Sequence, residues 1–428
     1  MSKKGLHRSR QALAAVAACV VASGGAAGVA SAAPEGPPPV PTAVVSAYAD
    51  QYGVGTGEAK AALAEQRKAD GLTEQLRDRL GASFSQLWFR EGRHVVYVTD
   101  DQAAAAAREL IGARELSDAT EIRVVPWTAG DLDRALRTVA RGLADERGSG
   151  DAQVALVEGG IEVRVGADVD AGARADASDA AARATAATEV PVSVRGSSGA
   201  LRAAQPDYAL PGYRTSASEP LIGGMLYFNA ARSCSTGFYA TAGGGVYFLT
   251  AGHCMAAAGT PEQSCTVGVS CPVVMHDVGG FVNSGGDVGV LASAYVWGPW
   301  PAFLDWTNPS QTAGVHGVAG SVGGYFYCKT GAGSPGVGYP ASTCGTNRGV
   351  SAVVYRGYPG ITLYLQTLEG SGLCSAGGDS GGPYWHPATA NAIGIHSGSI
   401  SGCGTGIATY YTDVGPAAAT LGVSVATL

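Results

Sequence analysis

Two short segments carry side chains whose types and spacing suit acyl transfer. In Thr250-Ala251-Gly252-His253-Cys254 an imidazole follows the apolar run Tyr247-Phe248-Leu249. In Gly378-Asp379-Ser380-Gly381-Gly382-Pro383 a hydroxyl sits among glycines. A serine hydroxyl is a weak nucleophile until an imidazole accepts its proton, and that imidazole needs a buried carboxylate to orient it. The glycines let the backbone fold tightly enough to aim the N–H groups of Gly378 and Ser380 at a developing oxyanion. Between His253 and Ser380 the candidate acids are Asp277, Asp287, Asp305, Glu369 and Asp379.

The elements that must position these groups are short and β-rich. From Leu221 onward, apolar runs punctuated by glycine occur at Gly244 to Leu249, Asp287 to Leu291, Gly349 to Tyr355, Ile361 to Thr367 and Ala392 to His396. Helical periodicity is confined to Pro416 to Leu421. Even strand spacing with glycine turns predicts a sandwich or closed barrels. This final part is charge-poor, with 4 Lys/Arg and 7 Asp/Glu in 208 residues, whereas 33–220 holds 20 basic and 28 acidic residues. Two separately folded units explain the contrast.

The chain of 428 residues exceeds one ordinary domain. With 46% hydrophobic and 15% charged residues, disorder over most of the length is excluded. No run after residue 32 has the 18 or more apolar residues of a spanning helix, and a net charge of −7 leaves no basic footprint for nucleic acid. The first 32 residues read as a signal peptide. Lys3, Lys4, Arg8 and Arg10 precede the apolar run Ala12 to Val21, and Ala30-Ser31-Ala32 is a small-x-small cleavage site. Lipidation at Cys19 is the alternative, and either implies export to the extracellular side. The other eight cysteines all follow residue 230, an even number that reads as a disulfide framework in an exported protein. Their spacing does not suggest zinc, and neither metal nor cofactor is expected.

Residues 33–43 read as a linker and Gly57 to Leu80 as a charged helical stretch. Leu87-Trp88-Phe89 and His94 to Thr99 form a hairpin turning at Glu91-Gly92. Ala103 to Ile111 and Ala129 to Ala144 are helical, Thr120 to Val125 is a strand, and Val154 to Val165 forms two strands around Gly159-Gly160. Asp168 to Ala187 is either a polar helix or a loop, Val190 to Val194 is strand-like, and Ser197 to Pro220 is an exposed connector. This unit is mixed α/β. His94, alone in its strand, reads as structural. By composition alone the unit could equally be a binding module.

The segments around His253 and Ser380, with the opening Leu221-Ile222-Gly223-Gly224, resemble the chymotrypsin-like serine proteases, in particular the secreted streptogrisin and alpha-lytic protease group. The resemblance covers about Leu221 to Val425. It implies an all-β catalytic domain, 221–428, of two six-stranded antiparallel β-barrels with the active site between them. It also implies that 33–220 is an α/β pro-domain that assists folding and then inhibits until cleaved. A monomer acting on protein or peptide substrates is expected. In this family order, Gly286-Asp287-Val288-Gly289-Val290 matches the segment that supplies the triad acid, so Ser380, His253 and Asp287 are the expected catalytic residues. Asp379 is expected buried and paired with Lys329. The disulfides implied are Cys234–Cys254, Cys328–Cys344 and Cys374–Cys403, leaving Cys265 and Cys271.

For substrate preference, Cys374-Ser375-Ala376-Gly377-Gly378 has no acid to receive a basic side chain. His396-Ser397-Gly398-Ser399 replaces the Thr-Ser-Gly-Gly of aromatic-preferring relatives and resembles the glutamate-specific members. There, His396, Ser375 and Ser399 receive the carboxylate. An imidazole and two hydroxyls can bind it without burying a full cation. The alternative is that His396 is a wall residue of an apolar pocket, giving aromatic or aliphatic preference. His276, His316 and His386 read as surface or packing residues. Cleavage before Leu221 puts Pro220 ahead of the cut and cleavage after Glu219 puts it just behind. The mature terminus therefore lies elsewhere or another protease makes it. An inactive binding homologue is disfavoured because no triad member is missing, and a serine esterase because the Gly-x-Ser-x-Gly elbow is absent.

Overall fold

Thirteen residues from Ser342 to Val354 form the strand on which two halves of the protein meet. Its first part pairs with Phe326–Thr330 and its length with Thr362–Gly370. Continuing from Phe326–Thr330 through Pro383–His386, Asn391–Ser399, Ile407–Asp413 and Thr362–Gly370, the sheet returns to its start. Six antiparallel strands thus close a barrel. The strand Thr362–Gly370 alternates buried and half-buried side chains along most of its length, the period-2 pattern of a wall with one face inward. In the computed structural model, residues 39–146, 152–166, 171–196, 221–228, 232–263, 273–294, 301–305, 311–354, 361–399 and 402–428 are described. The expected leader, the connector 197–220 and the Cys265 and Cys271 pair lie outside them.

A second sheet curls into the other barrel. Its strand order is Ser424–Val425, Tyr239–Ala242, Gly245–Thr250, Gly286–Ser293, Val273–Asn283, Pro261–Gln263, Leu226–Phe228 and Ser233–Ser235. Several members are only two or three residues long. The chain ends by adding Ser424–Val425 to this sheet after the helix Val414–Leu421. The fold is the chymotrypsin-like double barrel. Among the described residues, no helix is long and apolar enough to cross a membrane.

The region before it is α/β as expected, with one correction at its start. The stretch read as a linker continues into a helix, Thr42–Tyr52, whose Val44, Val45 and Tyr48 are buried. Its sequence has weak helical periodicity, and its order comes from packing: the Tyr48 ring meets Phe326 edge-on at 5.2 Å. The charged stretch is two helices, Thr56–Lys68 and Leu72–Leu80. The hairpin Phe84–Arg90 and Arg93–Val98 turns at Glu91 and Gly92, both with positive φ of 52° and 78°, the geometry that favours glycine there. Helices follow at Asp101–Ala113, where the Asp100 carboxylate caps the Ala103 N–H at 2.7 Å, and at Ala129–Glu146. The polar Ala/Asp stretch, open between helix and loop, is the helix Ala171–Thr188.

This region grips the closed barrel along one flank. Ala155 and Val154 pair antiparallel with Ser351 and Ala352, so the strands Ala152–Val157, Gly160–Val165 and Val192–Gly196 extend the barrel sheet to nine members. Phe89 N–H donates to Gly323 O at 2.8 Å, Phe326 N–H to Gln66 Oε1 at 3.1 Å, and Asn391 Nδ2 to Asp70 Oδ2 at 2.7 Å. The Arg164 guanidinium bridges Glu162 and Glu369.

His94, expected to be structural, lies fully buried in this contact with Nε2 2.8 Å from Tyr325 Oη. Burial pushes its pKa down to about 4, with a backbone hydrogen bond near Ala119 opposing. Because the unfolded chain binds that proton more readily, the contribution is complete above the ordinary value of 6.5 and is lost as the pH falls toward about 4. Between those limits the intact chain should lose about 3 kcal/mol of unfolding free energy from this residue. Denaturant midpoints of a Ser380→Ala chain across that range would show it. An unchanged slope after His94→Asn would contradict it.

Candidate active site

The strand Gly245–Thr250 pairs with Gly286–Ser293, Thr250 opposite Gly289, and then breaks into a single turn, Gly252–Cys254. That turn presses the imidazole onto the start of the neighbouring strand. A Cβ at Gly252 would lie 2.1 Å from Phe281 O, so only glycine allows the approach. His253 Nδ1 is 2.6 Å from Asp287 Oδ2, and the His253 N–H donates to Asp287 Oδ1 at 2.8 Å. One fully buried carboxylate therefore holds both ring and backbone of the same histidine. The ring N–H directed at Asp287 leaves Nε2 as the nitrogen able to accept a proton. Asp287 is itself fixed by its own N–H donating to Thr412 Oγ1 at 2.9 Å, and Ser397 Oγ lies 3.3 Å from that hydroxyl.

Ser380 sits on a turn clamped between the barrels. The Ser235 N–H donates to Ser380 O and the Ser235 hydroxyl to Gly378 O, each at 2.7 Å, while Gly381 N–H donates to His396 O at 2.8 Å. Gly378 and Gly381 have φ of 92° and 88°. A Cβ on Gly381 would fall 2.2 Å from Thr250 Oγ1, which places the serine turn hard against the strand that leads into His253. Ser380 and His253 are both buried to within a few per cent of solvent.

Asp379, beside the serine, points the other way. Its carboxylate takes Lys329 Nζ at 2.6 Å, the Ser334 N–H at 2.8 Å and the Ala376 N–H at 3.2 Å. Burial raises its pKa, but the Lys329 charge and these hydrogen bonds outweigh burial and hold the carboxyl below its usual range. Lys329 is buried with it, as the resemblance implied. The disulfides Cys234–Cys254, Cys328–Cys344 and Cys374–Cys403 are formed. Cys234, Cys254 and His253 lie within 4.8 Å of one another like a metal set, but both sulfurs are spent in the disulfide.

Ser375, His396, Ser397 and Ser399 are all buried, Ser375 directly after the Cys374 that pairs with Cys403. His396 Nε2 is 3.4 Å from Ser375 Oγ, and Nδ1 is 2.9 Å from Tyr384 Oη, which donates to Thr409 Oγ1 at 2.7 Å. The shift in register at Gly398 carries the strand on to Ser399, opposite Thr409. Burial first, then the charge of Lys329, push the His396 pKa well below its ordinary value, with Asp379 opposing. Two of the other candidate acids are occupied elsewhere, and the Asp305 side chain lies outside the described residues. Asp277 accepts from the Ala256 N–H at 2.7 Å, and Glu369 pairs with Arg164 and Arg348. Tyr384, Thr409, Thr412 and Ser235 escaped the sequence reading. Only Tyr384, four residues after Ser380, had a positional signal.

No family model matches the chain. Over 207 residues it is 35% identical to Glutamyl endopeptidase 2 of Streptomyces griseus, covering 48% of this chain and 98% of that protein. It is 32% identical to Serine protease 1 of Streptomyces fradiae, of which it spans 52%. Among solved structures, it is similar to a glutamic acid specific serine protease described as using a novel histidine triad in substrate binding. That match has 29% identity, a TM-score of 0.40, and coverage of 48% of this chain and 100% of that one. The relationship to the griseus enzyme runs over nearly its whole length, and the chain belongs to the chymotrypsin-like serine endopeptidases of the streptogrisin and alpha-lytic protease group.

Proposed function

We propose that this chain is the precursor of a secreted endopeptidase that cuts after glutamate through Ser380, His253 and Asp287. The observation that carries the mechanism is the double hold of Asp287 on His253 beside the buried Ser380 turn. Ser380 attacks the scissile carbonyl, and His253 Nε2 takes its proton and passes it to the leaving amine. Asp287 keeps Nδ1 protonated and stabilises the imidazolium. The amides of Gly378 and Ser380 receive the oxyanion, each such donor being worth about 3 kcal/mol of barrier. The acyl-enzyme is then released by water along the same proton path.

Glutamate preference is supported by His396 and Ser375 facing one another in a buried site with no acid between Cys374 and Gly378. The name of the griseus relative agrees with it. Residues 33–220 act as the pro-region, and 1–32 direct export. The processed protease is monomeric, with its own pro-region as partner until release. The test is a panel of matched peptides with Glu, Phe, Leu or Lys before the cut, given to processed enzyme from full-chain expression. Glu should lead by a factor of about 10² or more, and His396→Ala should erase that lead. Leadership by Phe or Leu in the unaltered enzyme would keep the protease and discard the pocket assignment.

A further inference from the structure

We infer that Tyr384, anchored by Thr409, fixes His396 in the tautomer with its free nitrogen unprotonated, so that a substrate carboxylate is bound together with one proton. This inference rests on the glutamate reading and refines how that site chooses between Glu and Gln.

The argument is a count of protons along a buried line. Tyr384 has one hydroxyl proton, and it is donated to Thr409 Oγ1 at 2.7 Å. At 2.9 Å from His396 Nδ1, the same oxygen can then only accept. Nδ1 therefore carries the hydrogen, and in a neutral imidazole Nε2 is bare. Tyr384 keeps its proton because burial raises its pKa well above 10.0. Its ring stacks on Tyr411 at 4.2 Å and lies nearly parallel to the imidazole, so neither group is free to turn.

The charged and titratable groups facing His396 are Lys329, Asp379 and His253, with the neutral Tyr384 and Tyr411 on neighbouring strands. Lys329 opposes a charge on the ring, and with burial it keeps the empty pocket neutral. The bare Nε2 lies 3.4 Å from Ser375 Oγ, and the substrate side chain would enter there. The single proton of that hydroxyl turns to Nε2 in preference to Asp379 Oδ2, also 3.4 Å away and already bonded to Lys329 and Ser334.

A carboxylate only accepts hydrogen bonds, so it and a bare Nε2 cannot bond to one another without a proton between them. Binding Glu thus takes one proton from solvent, shared between Nε2 and the carboxylate, with no covalent bond of the substrate changed. Gln needs none, because its amide N–H donates directly to Nε2. The Glu-to-Gln ratio of kcat/KM should therefore fall about tenfold per pH unit while the empty pocket is neutral and the filled one protonated. The acyl-transfer chemistry is common to both substrates and cancels in the ratio.

The experiment measures that ratio from about pH 6 to 8, where the Glu side chain is ionised throughout, on processed enzyme and two variants. Tyr384→Phe removes the acceptor at Nδ1, and Thr409→Val frees the tyrosine proton to turn toward Nδ1. Each lets the hydrogen move to Nε2, which then donates to the carboxylate unaided. A steep ratio in the unaltered enzyme and a flat one in either folded variant is the expected result. A flat ratio in an enzyme that still prefers Glu through His396 overturns the proton coupling and leaves the glutamate reading standing. A slope that persists in both variants removes Tyr384 from the account. Absence of any Glu preference overturns both together.

Discussion

Asp287→Asn is expected to lower kcat about 10⁴-fold at neutral pH while the protein stays folded. The substitution preserves volume in a fully buried site, and the amide oxygen can still accept the His253 N–H that Asp287 Oδ1 now receives at 2.8 Å. The other end of the side chain is reversed. An amide N–H donating toward Nδ1 forces the ring hydrogen onto Nε2, and that nitrogen then cannot accept the Ser380 proton. Single-turnover cleavage of a peptide ester or amide, alongside a denaturant midpoint close to the parent's, is the measurement. A loss smaller than about tenfold would remove Asp287 from the proton path and reopen the choice of acid.

Lys329→Met should be the largest single loss of stability, about 3–5 kcal/mol at pH 8, because it leaves a carboxylate buried with its cationic partner removed. The pH dependence separates this cause from simple loss of packing. With Lys329 present, Asp379 titrates below its usual range, so its contribution holds above the ordinary carboxyl value and disappears as the pH falls through the lowered one. Without Lys329, burial dominates, the carboxyl pKa rises, and protonation relieves the strain. The deficit should therefore shrink on going from pH 8 to about 4 in urea unfolding of Ser380→Ala chains. A deficit equal at both pH values would mean that packing of the lysine stem, not charge, is what was lost.

The two chemical segments were legible because each packs its requirements into consecutive residues. His253 follows an apolar strand and Ser380 sits among glycines, so local sequence announces both. The Asp379 partnership was also readable, since Lys329 directly follows a cysteine whose place was known by resemblance. Tyr384 and Thr409 were not, because their meeting at His396 depends on strand registers 25 residues apart and on an irregularity at Gly398. The helix Thr42–Tyr52 was missed for a similar reason: its helicity is decided by Phe326, far away in the chain. Most directly, neither Val154-Ala155 nor Ser351-Ala352 contains any hint of the other, yet they join the two halves. Hydrogen-bond pairing between distant strands is written in backbone, which every sequence shares.

If residues 33–220 leave as the proposed pro-region, that shared sheet has a consequence for what remains. The half of Ser342–Val354 beyond Arg348 has Thr362–Gly370 on one side and the hairpin strand Ala152–Val157 on the other. Once the hairpin departs, a run with the sequence Val350-Ser351-Ala352-Val353-Val354 is left as an open margin of N–H and C=O groups. Such a margin, rich in β-branched residues and nearly uncharged, is a template for another extended chain. It could be filled by a second protease molecule, which leads to aggregation, or by the extended backbone of a protein being digested. Among the described residues, Arg348 at its upper end is the charge that guards it.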